Sequence, residues 1–461
     1  MRARLKLPPT ADGIDERRTE YLYWWLLVAI FFEYVRPGQW VPGIDAIKLN
    51  SLIPLTLFAI TLFAKGLRPF QQIFADRSAR WLSFFLFLVF LSVPTAEVTE
   101  YSFKIFKGIL GYYFMCLMIA RIATSTRRIR GIFGALIAAH LFMIVMTPQI
   151  VLSTGERPYM RGGPFLGDGN DFSLSLCILI AMAVAVAQHT KIRMTRMMAW
   201  GSLGIILLAI VGSQSRGATL GAIAVAGFLW LLSKRKIVGL AIMGVAAIAI
   251  AIYASDAYFE RISTIRNYQS EGSAQGRIIA WNASLRMVAD NPLLGVGAGH
   301  FPVAFGAKYM PRDLGPMPWL TAHSSYFLVL GELGLPGIVT ILALVLGNIH
   351  ATLALRRRLL ARSADHQGKQ VEELAGMLYL VAASMLGFAV AGAFLSAAYY
   401  PHLFVLTGIM IATRELARAD TAVTGSGDVP EGRKSGASRR RSWSSPRIAQ
   451  AADRGIPAAY K

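Results

Sequence analysis

Apolar runs of fairly uniform length, separated by short polar breaks, recur along most of the chain. They fall near residues 21–35, 47–64, 81–95, 102–120, 131–151, 171–188, 198–212, 218–232, 237–254, 337–355, 373–395 and 399–413. A helix of about 20 residues crosses a hydrocarbon core roughly 30 Å thick, and most of these runs approach that length. The pattern therefore predicts an all-α, polytopic membrane protein with about twelve transmembrane helices.

Basic residues mark alternate connections between the predicted helices. The clusters are Lys65/Arg68/Arg77/Arg80, Arg121/Arg127/Arg128/Arg130, Lys191/Arg193/Arg196, Lys234/Arg235/Lys236, Arg356/Arg357/Arg358/Arg362/Lys369 and the two chain ends. Because the cytoplasmic loops of membrane proteins are enriched in lysine and arginine, these segments and both termini are predicted to lie in the cytoplasm.

The composition agrees with this prediction and argues against several other classes of protein. Of 461 residues, 55% are hydrophobic and only 16% are charged, which is unlike an ordinary soluble domain. The net charge of +21 arises mostly from the cytoplasmic clusters, so it reflects membrane orientation and not nucleic-acid binding. Cys116 and Cys177 both lie in apolar runs, which argues against a disulfide or a cysteine metal site.

The chain divides into five predicted segments. A cytoplasmic arm (1–20) is followed by nine helices (21–254), a large outer loop (255–336), three helices (337–414) and a basic tail (415–461). The tail is rich in serine, glycine and arginine and lacks apolar periodicity, so it is predicted to be disordered. Such a tail either stays solvated or contacts anionic lipid head groups.

The long loop between the ninth and tenth predicted helices has a pattern of its own. In QGRIIAWNASLRMVAD, one face carries Ile278, Trp281, Leu285 and Val288, which predicts a helix. The helix breaks at NPLLGVGAGHF, and a second short helix is predicted from His323 to the break at GLPG. The loop is therefore expected to be partly helical, with its second helix along the membrane surface.

Cationic side chains on the predicted outer side have no topological reason to be there, so each is a candidate for binding. Arg216 lies in the short SQSRGA connection, which holds its guanidinium at the head-group boundary. A planar guanidinium matches phosphate oxygens bidentately, so a polyprenyl pyrophosphate is one expected partner, and an ordinary lipid phosphate or a helix carbonyl is the alternative. Lys104 and Lys107 are secondary candidates for the carrier phosphate, although outer lysines often simply snorkel.

Four polar motifs follow one another on the predicted outer side. They are RPYMRGGPFLGDGNDFSLSL, SQSRGATLGA, GRIIAWNASLRMVADNPLLGVGAGHF and AHSSYFLVLGELGLPGI. In this order they resemble the O-antigen ligase and O-antigen polymerase superfamily over about 155–340. The resemblance implies a metal-independent inverting glycosyltransferase of the bacterial inner membrane, without cofactor, in which 255–336 is the periplasmic catalytic loop. The implied donor is an undecaprenyl-pyrophosphate-linked glycan, and the implied acceptor is lipid A core or a growing polysaccharide.

The resemblance also implies roles for individual residues. Those expected to contact the pyrophosphate or the glycan are Arg161, Arg216, Arg277, Asn170 and Trp281. The arginines would neutralise the charge of the leaving pyrophosphate. His323 would take the proton from the acceptor hydroxyl, or else hydrogen-bond the acceptor or the pyrophosphate. Many members of the superfamily have asparagine after this histidine, whereas Ser324 follows it here.

Three acidic residues on the outer side have simpler interpretations. Asp168 and Asp171 in GDGND are expected to form a turn and a helix N-cap, with metal binding as the less favoured alternative. The long loop has no Asp-x-Asp pair of the kind that holds Mg²⁺ in many transferases. Glu332 is expected to end the short helix, or else to pair with an outer arginine.

The seven histidines are predicted to lie on different sides of the membrane. His300, His323 and His402 are predicted to face outward, whereas His140 is placed toward the cytoplasmic end of its helix, as is His350. Only His323 lies in a family motif that implies catalysis, so it is the predicted base.

Several functions are compatible with this layout. A ligase would move a finished glycan en bloc to its acceptor, a polymerase would extend the glycan on its carrier, and a third branch of the superfamily transfers glycan to protein. A lipid-linked oligosaccharide transporter would need charged groups deep in the bilayer, whereas the charges here cluster at helix ends and on the outer side. A transferase of the ligase type is therefore the preferred prediction.

Overall fold

A computed structural model describes residues 16–41, 43, 47–152, 166, 169–231, 233, 235–254, 259, 272–311, 319–362 and 368–426. These residues form helices and connections, and no strand occurs among them. The chain separates into two units, Met1–Thr421 and Ala422–Lys461, and the helical bundle belongs to the first. The predictions for most of the cytoplasmic arm and for the disordered tail fall outside the described residues.

The helices are numbered in chain order. They are α1 (Glu16–Val35), α2 (Leu49–Phe63), α3 (Phe70–Ala75), α4 (Arg77–Ser92), α5 (Thr99–Ile122), α6 (Thr126–Met146), α7 (Gln149–Leu152), α8 (Gly169–His189), α9 (Arg193–Gly212), α10 (Arg216–Leu231), α11 (Lys236–Tyr253), α12 (Gly272–Asp290), α13 (Phe301–Ala304), α14 (Ser325–Arg362), α15 (Lys369–Gly392) and α16 (Pro401–Ser426). A π-helical turn at Phe305–Tyr309 follows α13.

Each predicted apolar run overlaps one of these helices, although α14 and α16 extend well beyond the ends of their runs. Among the described residues, seven helices have the length and hydropathy to cross a membrane, namely α5, α6, α8, α9, α11, α14 and α15, and α2 and α10 are shorter apolar helices. An all-helical, multi-pass membrane protein is therefore confirmed. The number of about twelve crossings stays a prediction.

Helix α8 lies at the centre of the bundle. Nearly all of its side chains from Phe172 to Ala187 are buried, and it packs against α15, α9 and α10. A small residue of α15 lets the two backbones approach closely, because a Cβ at Gly387 would lie 3.0 Å from the carbonyl oxygen of Cys177 in α8. The outlying α11 has no buried residue and packs mainly against α10.

Segments predicted to be cytoplasmic meet at one end of the bundle, called here the basic end. The start of α6 and the start of α15 are joined by an ion pair between Arg130 and Glu373. The last residue of α8, His189, lies against Gly376 of α15, one turn beyond that ion pair. The start of α8, which belongs to the first outer motif, is therefore at the opposite end.

A buried ion pair also stabilises the basic end. Arg414 of α16 is 0% exposed, and its guanidinium donates to both carboxylate oxygens of Asp76 at 2.9 and 2.8 Å. It also donates to Asn348 and Thr352 of α14 at 3.0 Å. Bidentate pairing and further acceptors offset the cost of burying the charge. Because Asp76 also caps α4 by accepting from the Ser78 N–H, this cluster connects α4, α14 and α16.

Candidate functional site

The two glycine-rich motifs of the long loop cross each other beside the bundle. Val296 and Gly297 donate their backbone N–H groups to the carbonyls of Gly331 and Glu332, both at 3.0 Å. Gly295 has a φ of +58°, and a Cβ there would lie 2.3 Å from the Gly331 carbonyl oxygen. Only glycine permits so close an approach of two backbones. The GVGAGHF segment is thereby bound along the short helix that begins α14.

Gly334 ends that short helix. Its φ of +67° and ψ of −160° divide α14 into a short helix from Ser325 and a long apolar one. A Cβ at Gly334 would lie 2.4 Å from the carbonyl oxygen of Pro292, and Leu335 donates its N–H to the same oxygen at 2.8 Å. The predicted break at GLPG is confirmed. It places Pro336 in the first turn of the long helix, where a missing N–H breaks no helical hydrogen bond.

Glu332 holds the glycine-rich segment in place. Its side chain is fully buried, and its carboxylate accepts backbone N–H groups from Gly299 and Phe301, both at 2.8 Å. Charge-assisted bonds of this kind stabilise a segment that lacks regular secondary structure. The phenol of Tyr399 lies nearby: burial raises the pKa of Tyr399, and the Glu332 charge raises it further. In the described residues Glu332 therefore binds backbone donors and not an outer arginine.

We expect Glu332→Gln to destabilise the protein by about 2–4 kcal/mol. A glutamine offers one acceptor oxygen, and its amide N–H would face the second backbone donor, which leaves buried donors unsatisfied. The measurement is the midpoint of thermal unfolding of the purified protein in detergent. The control is Glu372→Gln on the exposed first turn of α15, which should leave the midpoint unchanged. Equal midpoints for wild type and Glu332→Gln would show that the charged Glu332 carboxylate is dispensable for stability.

The same glycine-rich segment is fastened to the turn between α4 and α5. Ser92 accepts the Ala298 N–H at 3.1 Å, and the Nε2 of His300 accepts the Val98 N–H at 2.9 Å. Burial lowers the pKa of His300, and the charge of Glu97 only partly opposes this effect. The ring is therefore neutral near pH 7 and able to accept. His300, one of the three outward histidines predicted from sequence, has a structural role here.

These segments surround a cavity of about 310 Å³ at the end of the bundle opposite the basic end. Its walls come from the start of α8, the glycine-rich segment, the turn before α14 and the turn between α15 and α16. The lining residues are Asp171, Gly299, Pro302, Thr321, His323, Leu328, Glu332, Leu395, Ser396, Tyr399 and Tyr400. Hydroxyl, phenol, imidazole and carboxylate groups beside apolar surface are able both to hydrogen-bond and to stack on a sugar ring.

His323 lies in a constrained turn of the cavity wall. Its φ of +47° is in the left-handed region, which non-glycine residues seldom adopt outside turns and functional sites. Two contacts hold the turn against the end of α15. The hydroxyls of Thr321 and Ser396 are 3.0 Å apart, and Ser325 donates to the Leu395 carbonyl at 2.7 Å. The imidazole is thereby kept at the cavity.

Asp171 is a second ionisable group in the cavity wall, and sequence analysis did not predict a role for it there. The hydroxyl of Tyr400 donates to its Oδ2 at 2.9 Å. The predicted metal alternative involved Asp168 as well, which lies outside the described residues. In the part of the chain that the structure describes, no cluster of three or more His, Cys, Asp or Glu side chains is arranged to hold a metal ion. The available signal was the YYPH motif, whose second tyrosine, Tyr400, reaches this carboxylate.

Arg216 approaches the end of α15 from another direction. It is the first residue of α10 and follows Gln214, which has a φ of +54°. A Cβ on the next residue, Gly217, would lie 2.9 Å from the Cβ of Phe394. The two residues after Phe394 line the cavity. The Arg216 turn and the His323 turn therefore both contact the short segment 394–396 that follows α15. Arg216 itself is not among the residues that line the cavity.

The predicted substrate-binding residues of α12 lie behind the His323 turn. Trp281 donates its Nε1–H to the Ala322 carbonyl at 3.0 Å, and its indole stacks on Phe327 with ring centroids 4.9 Å apart. Arg277 lies one turn earlier on α12 and is half-buried. Trp281 therefore supports the turn that carries His323, and neither residue lines the cavity.

The remaining residues predicted to bind substrate do not line the cavity in the part of the chain that the structure describes. Lys104 and Lys107 are exposed on α5, and Lys107 lies over an aromatic ring of its own helix. Asn170 lies in the first turn of α8. Arg161 falls outside the described residues. Of the predicted set that the structure describes, His323 is the residue that lines the cavity.

The placement of His140 toward the cytoplasmic end of its helix is wrong. Its ring centroid lies 5.2 Å from that of Tyr34 and 5.6 Å from that of Phe172, near the start of α8. The same Tyr34 contacts the predicted outward His402, with Oη and Nδ1 3.1 Å apart. Helix α6 spans Thr126–Met146, about five residues earlier than the apolar run alone indicates, so His140 lies nearer its far end.

Residues 201–342 match the family model described as O-Antigen ligase. This match supports a relationship to the O-antigen ligase superfamily. The matched O-antigen ligase domain includes the Arg216 turn, α12, the glycine-rich segment and the His323 turn, so the resemblance found in the motifs is confirmed there. No curated protein matches the chain.

Proposed function

We propose that this O-antigen ligase superfamily member is a metal-independent inverting glycosyltransferase. It moves glycan from an undecaprenyl-pyrophosphate carrier to a surface acceptor such as lipid A core. The observation that carries the proposal is the cavity, whose wall combines His323, Asp171 and two tyrosines beside the segment that the Arg216 turn contacts. The family match supports ligase or polymerase chemistry in general, and the cavity supplies a place for an acceptor hydroxyl.

The proposed reaction couples proton removal from the acceptor to departure of the pyrophosphate. His323 takes the acceptor proton while the acceptor oxygen forms a bond to the anomeric carbon, on the face opposite the carrier. The bond from that carbon to the phosphate oxygen breaks, and its electron pair remains on the pyrophosphate. Arg216, assisted by Arg277 and Arg161, balances the charge that grows there, so the transfer requires neither a nucleotide sugar nor a metal.

Other lining groups suit the binding of sugar at the acceptor side. The Tyr400–Asp171 hydrogen bond and the Thr321–Ser396 hydroxyl pair present donors and acceptors to sugar hydroxyls. The ring of Tyr399 adds a surface on which a sugar ring stacks. We therefore assign the cavity to the acceptor and the Arg216 turn to the donor pyrophosphate.

We also propose that the cavity faces the periplasm across the bacterial inner membrane, with both termini in the cytoplasm. The basic clusters at the other end of the bundle support this orientation, because cytoplasmic segments are enriched in arginine and lysine. The polyprenyl tail then stays among the lipids, and its pyrophosphate lies at head-group depth, where Arg216 begins α10.

The test is an analysis of surface polysaccharide and carrier-linked intermediates in a deletion strain, with and without the wild-type protein. We expect the deletion to leave long glycan chains on the carrier and a bare acceptor, because a ligase acts on finished chains. Single repeats attached to the acceptor would identify a polymerase using the same donor, and loss of glycan from proteins would identify a protein ligase. Unchanged surface glycan would contradict all three and favour a transporter or a structural role.

A further inference from the structure

A groove on α4 lies at the basic end of the bundle, far along the chain from the residues proposed for glycan transfer. It has a volume of about 580 Å³ and is lined by Arg77, Arg80, Trp81 and Phe84. We propose that this groove binds the head group of an anionic phospholipid, with an acyl chain lying along the aromatic side chains of α4.

The two arginines carry charge that local acids do not neutralise. Arg77 and Arg80 lie one turn apart at the start of α4, and both are exposed. The adjacent acid, Asp76, is already bonded to Arg414 at 2.8 Å and to Arg418 at 3.1 Å. Two exposed guanidiniums at one groove are suited to phosphate oxygens, which they bind bidentately.

Aromatic side chains continue from the groove toward the other end of α4. Trp81, Phe84, Phe87 and Phe90 follow one another at three-residue spacing, and all four are exposed. The ring centroids of Trp81 and Phe84 are 6.1 Å apart, and those of Phe84 and Phe87 are 6.4 Å apart. Rows of this spacing run obliquely across a helix surface, so the rings form one inclined stripe. The stripe is long enough to contact an extended acyl chain.

An anionic phospholipid is the ligand that matches both parts of this surface. Its phosphate complements the arginines, and its acyl chain complements the aromatic stripe, whereas a soluble anion leaves the stripe uncovered. Anionic lipids are also concentrated in the cytoplasmic leaflet, which is the predicted location of the basic end. The aromatic stripe distinguishes this groove from an ordinary basic helix end.

The chain offers a matched comparison at the start of α9. Arg193 and Arg196 have the same spacing, lie in the first turn of a helix and are both exposed. Met197 follows Arg196 where Trp81 follows Arg80, and the exposed Trp200 corresponds to Phe84. Leu203 and Ile206 stand at the positions of Phe87 and Phe90, so this pair supplies the same charge beside one exposed aromatic ring and without the stripe.

The test is native mass spectrometry of the full-length protein in detergent, titrated with phosphatidylglycerol, cardiolipin or phosphatidylcholine. We expect wild type to retain the two anionic lipids in preference to phosphatidylcholine. The Arg77→Gln/Arg80→Gln variant should bind them about 25-fold more weakly, because each arginine near a charged lipid contributes a factor of about five. The Arg193→Gln/Arg196→Gln variant should change binding by less than about twofold.

Trp81→Ala keeps both charges and tests the acyl-chain contact. We expect it to bind the anionic lipids several-fold more weakly than wild type. Equal losses in the two double-arginine variants, or no preference for anionic lipid in wild type, would overturn the proposal. Full competition by inorganic phosphate, or unchanged binding in Trp81→Ala, would overturn the phospholipid in favour of a free anion. None of these outcomes depends on glycan transfer, so the proposal stands or falls separately from the proposed function.

Discussion

His323→Ala is expected to lower the rate of glycan transfer by about 10²–10⁴-fold, the contribution typical of a positioned general base. His323 lines the cavity in a left-handed turn that two contacts hold against the end of α15. Removing the imidazole leaves that backbone support in place, so the protein should still fold. No base then takes the proton from the hydroxyl of the glycan acceptor. The measurement is transfer of labelled glycan from a lipid-linked donor to acceptor by purified protein, at matched protein amounts.

Two further variants make this result specific. His350 is an exposed histidine on α14, the helix that follows the His323 turn, so His350→Ala should retain wild-type activity. Asp171→Asn tests the carboxylate of the cavity wall that is bonded to Tyr400 and not to backbone N–H groups of the glycine-rich segment. If His323→Ala remained active while Asp171→Asn lost activity, the base would be Asp171 and His323 would have a supporting role.

Arg216→Ala is expected to reduce transfer by about 10²–10³-fold, the usual effect of removing one group that stabilises charge developing in the transition state. Arg216 begins α10 beside the end of α15, whose next residues line the cavity. Arg216→Lys should recover only part of the activity, because an ammonium keeps the charge but cannot match phosphate oxygens with a planar fork. The loss should appear mainly in kcat, since the charge on the pyrophosphate increases as the bond breaks.

The control for this prediction is Arg196→Ala, which removes an exposed arginine from the start of α9. It should leave the transfer rate unchanged. Normal transfer by Arg216→Ala would remove Arg216 from the donor site, and full activity of Arg216→Lys would show that charge alone matters there. A lower kcat of Arg216→Ala together with a clearly lower midpoint of thermal unfolding would instead indicate a structural role.

The helices and their breaks could be predicted from the sequence because they depend on local chemistry. Apolar runs predict the long helices of the bundle, an amphipathic pattern predicts α12, and the glycine and proline of GLPG predict the break at Gly334. The order of the motifs was enough to indicate the O-antigen ligase domain, which the match over residues 201–342 confirms. Apolar length alone placed α6 a few residues too late, which is why His140 was assigned to the wrong end.

The candidate site depends on contacts between residues far apart in the chain, which no local pattern reports. Tyr400 reaches Asp171, and the carboxylate of Glu332 reaches the backbone of Gly299 and Phe301. A buried carboxylate is stable only where donors are supplied, and two backbone segments approach this closely only where a glycine such as Gly295 lacks a Cβ. The sequence alone determined which segments are helical and indicated the O-antigen ligase domain. Tertiary packing decided that His323 lines a cavity, that Asp171 joins it there, and that Glu332 and Trp281 hold the surrounding turns.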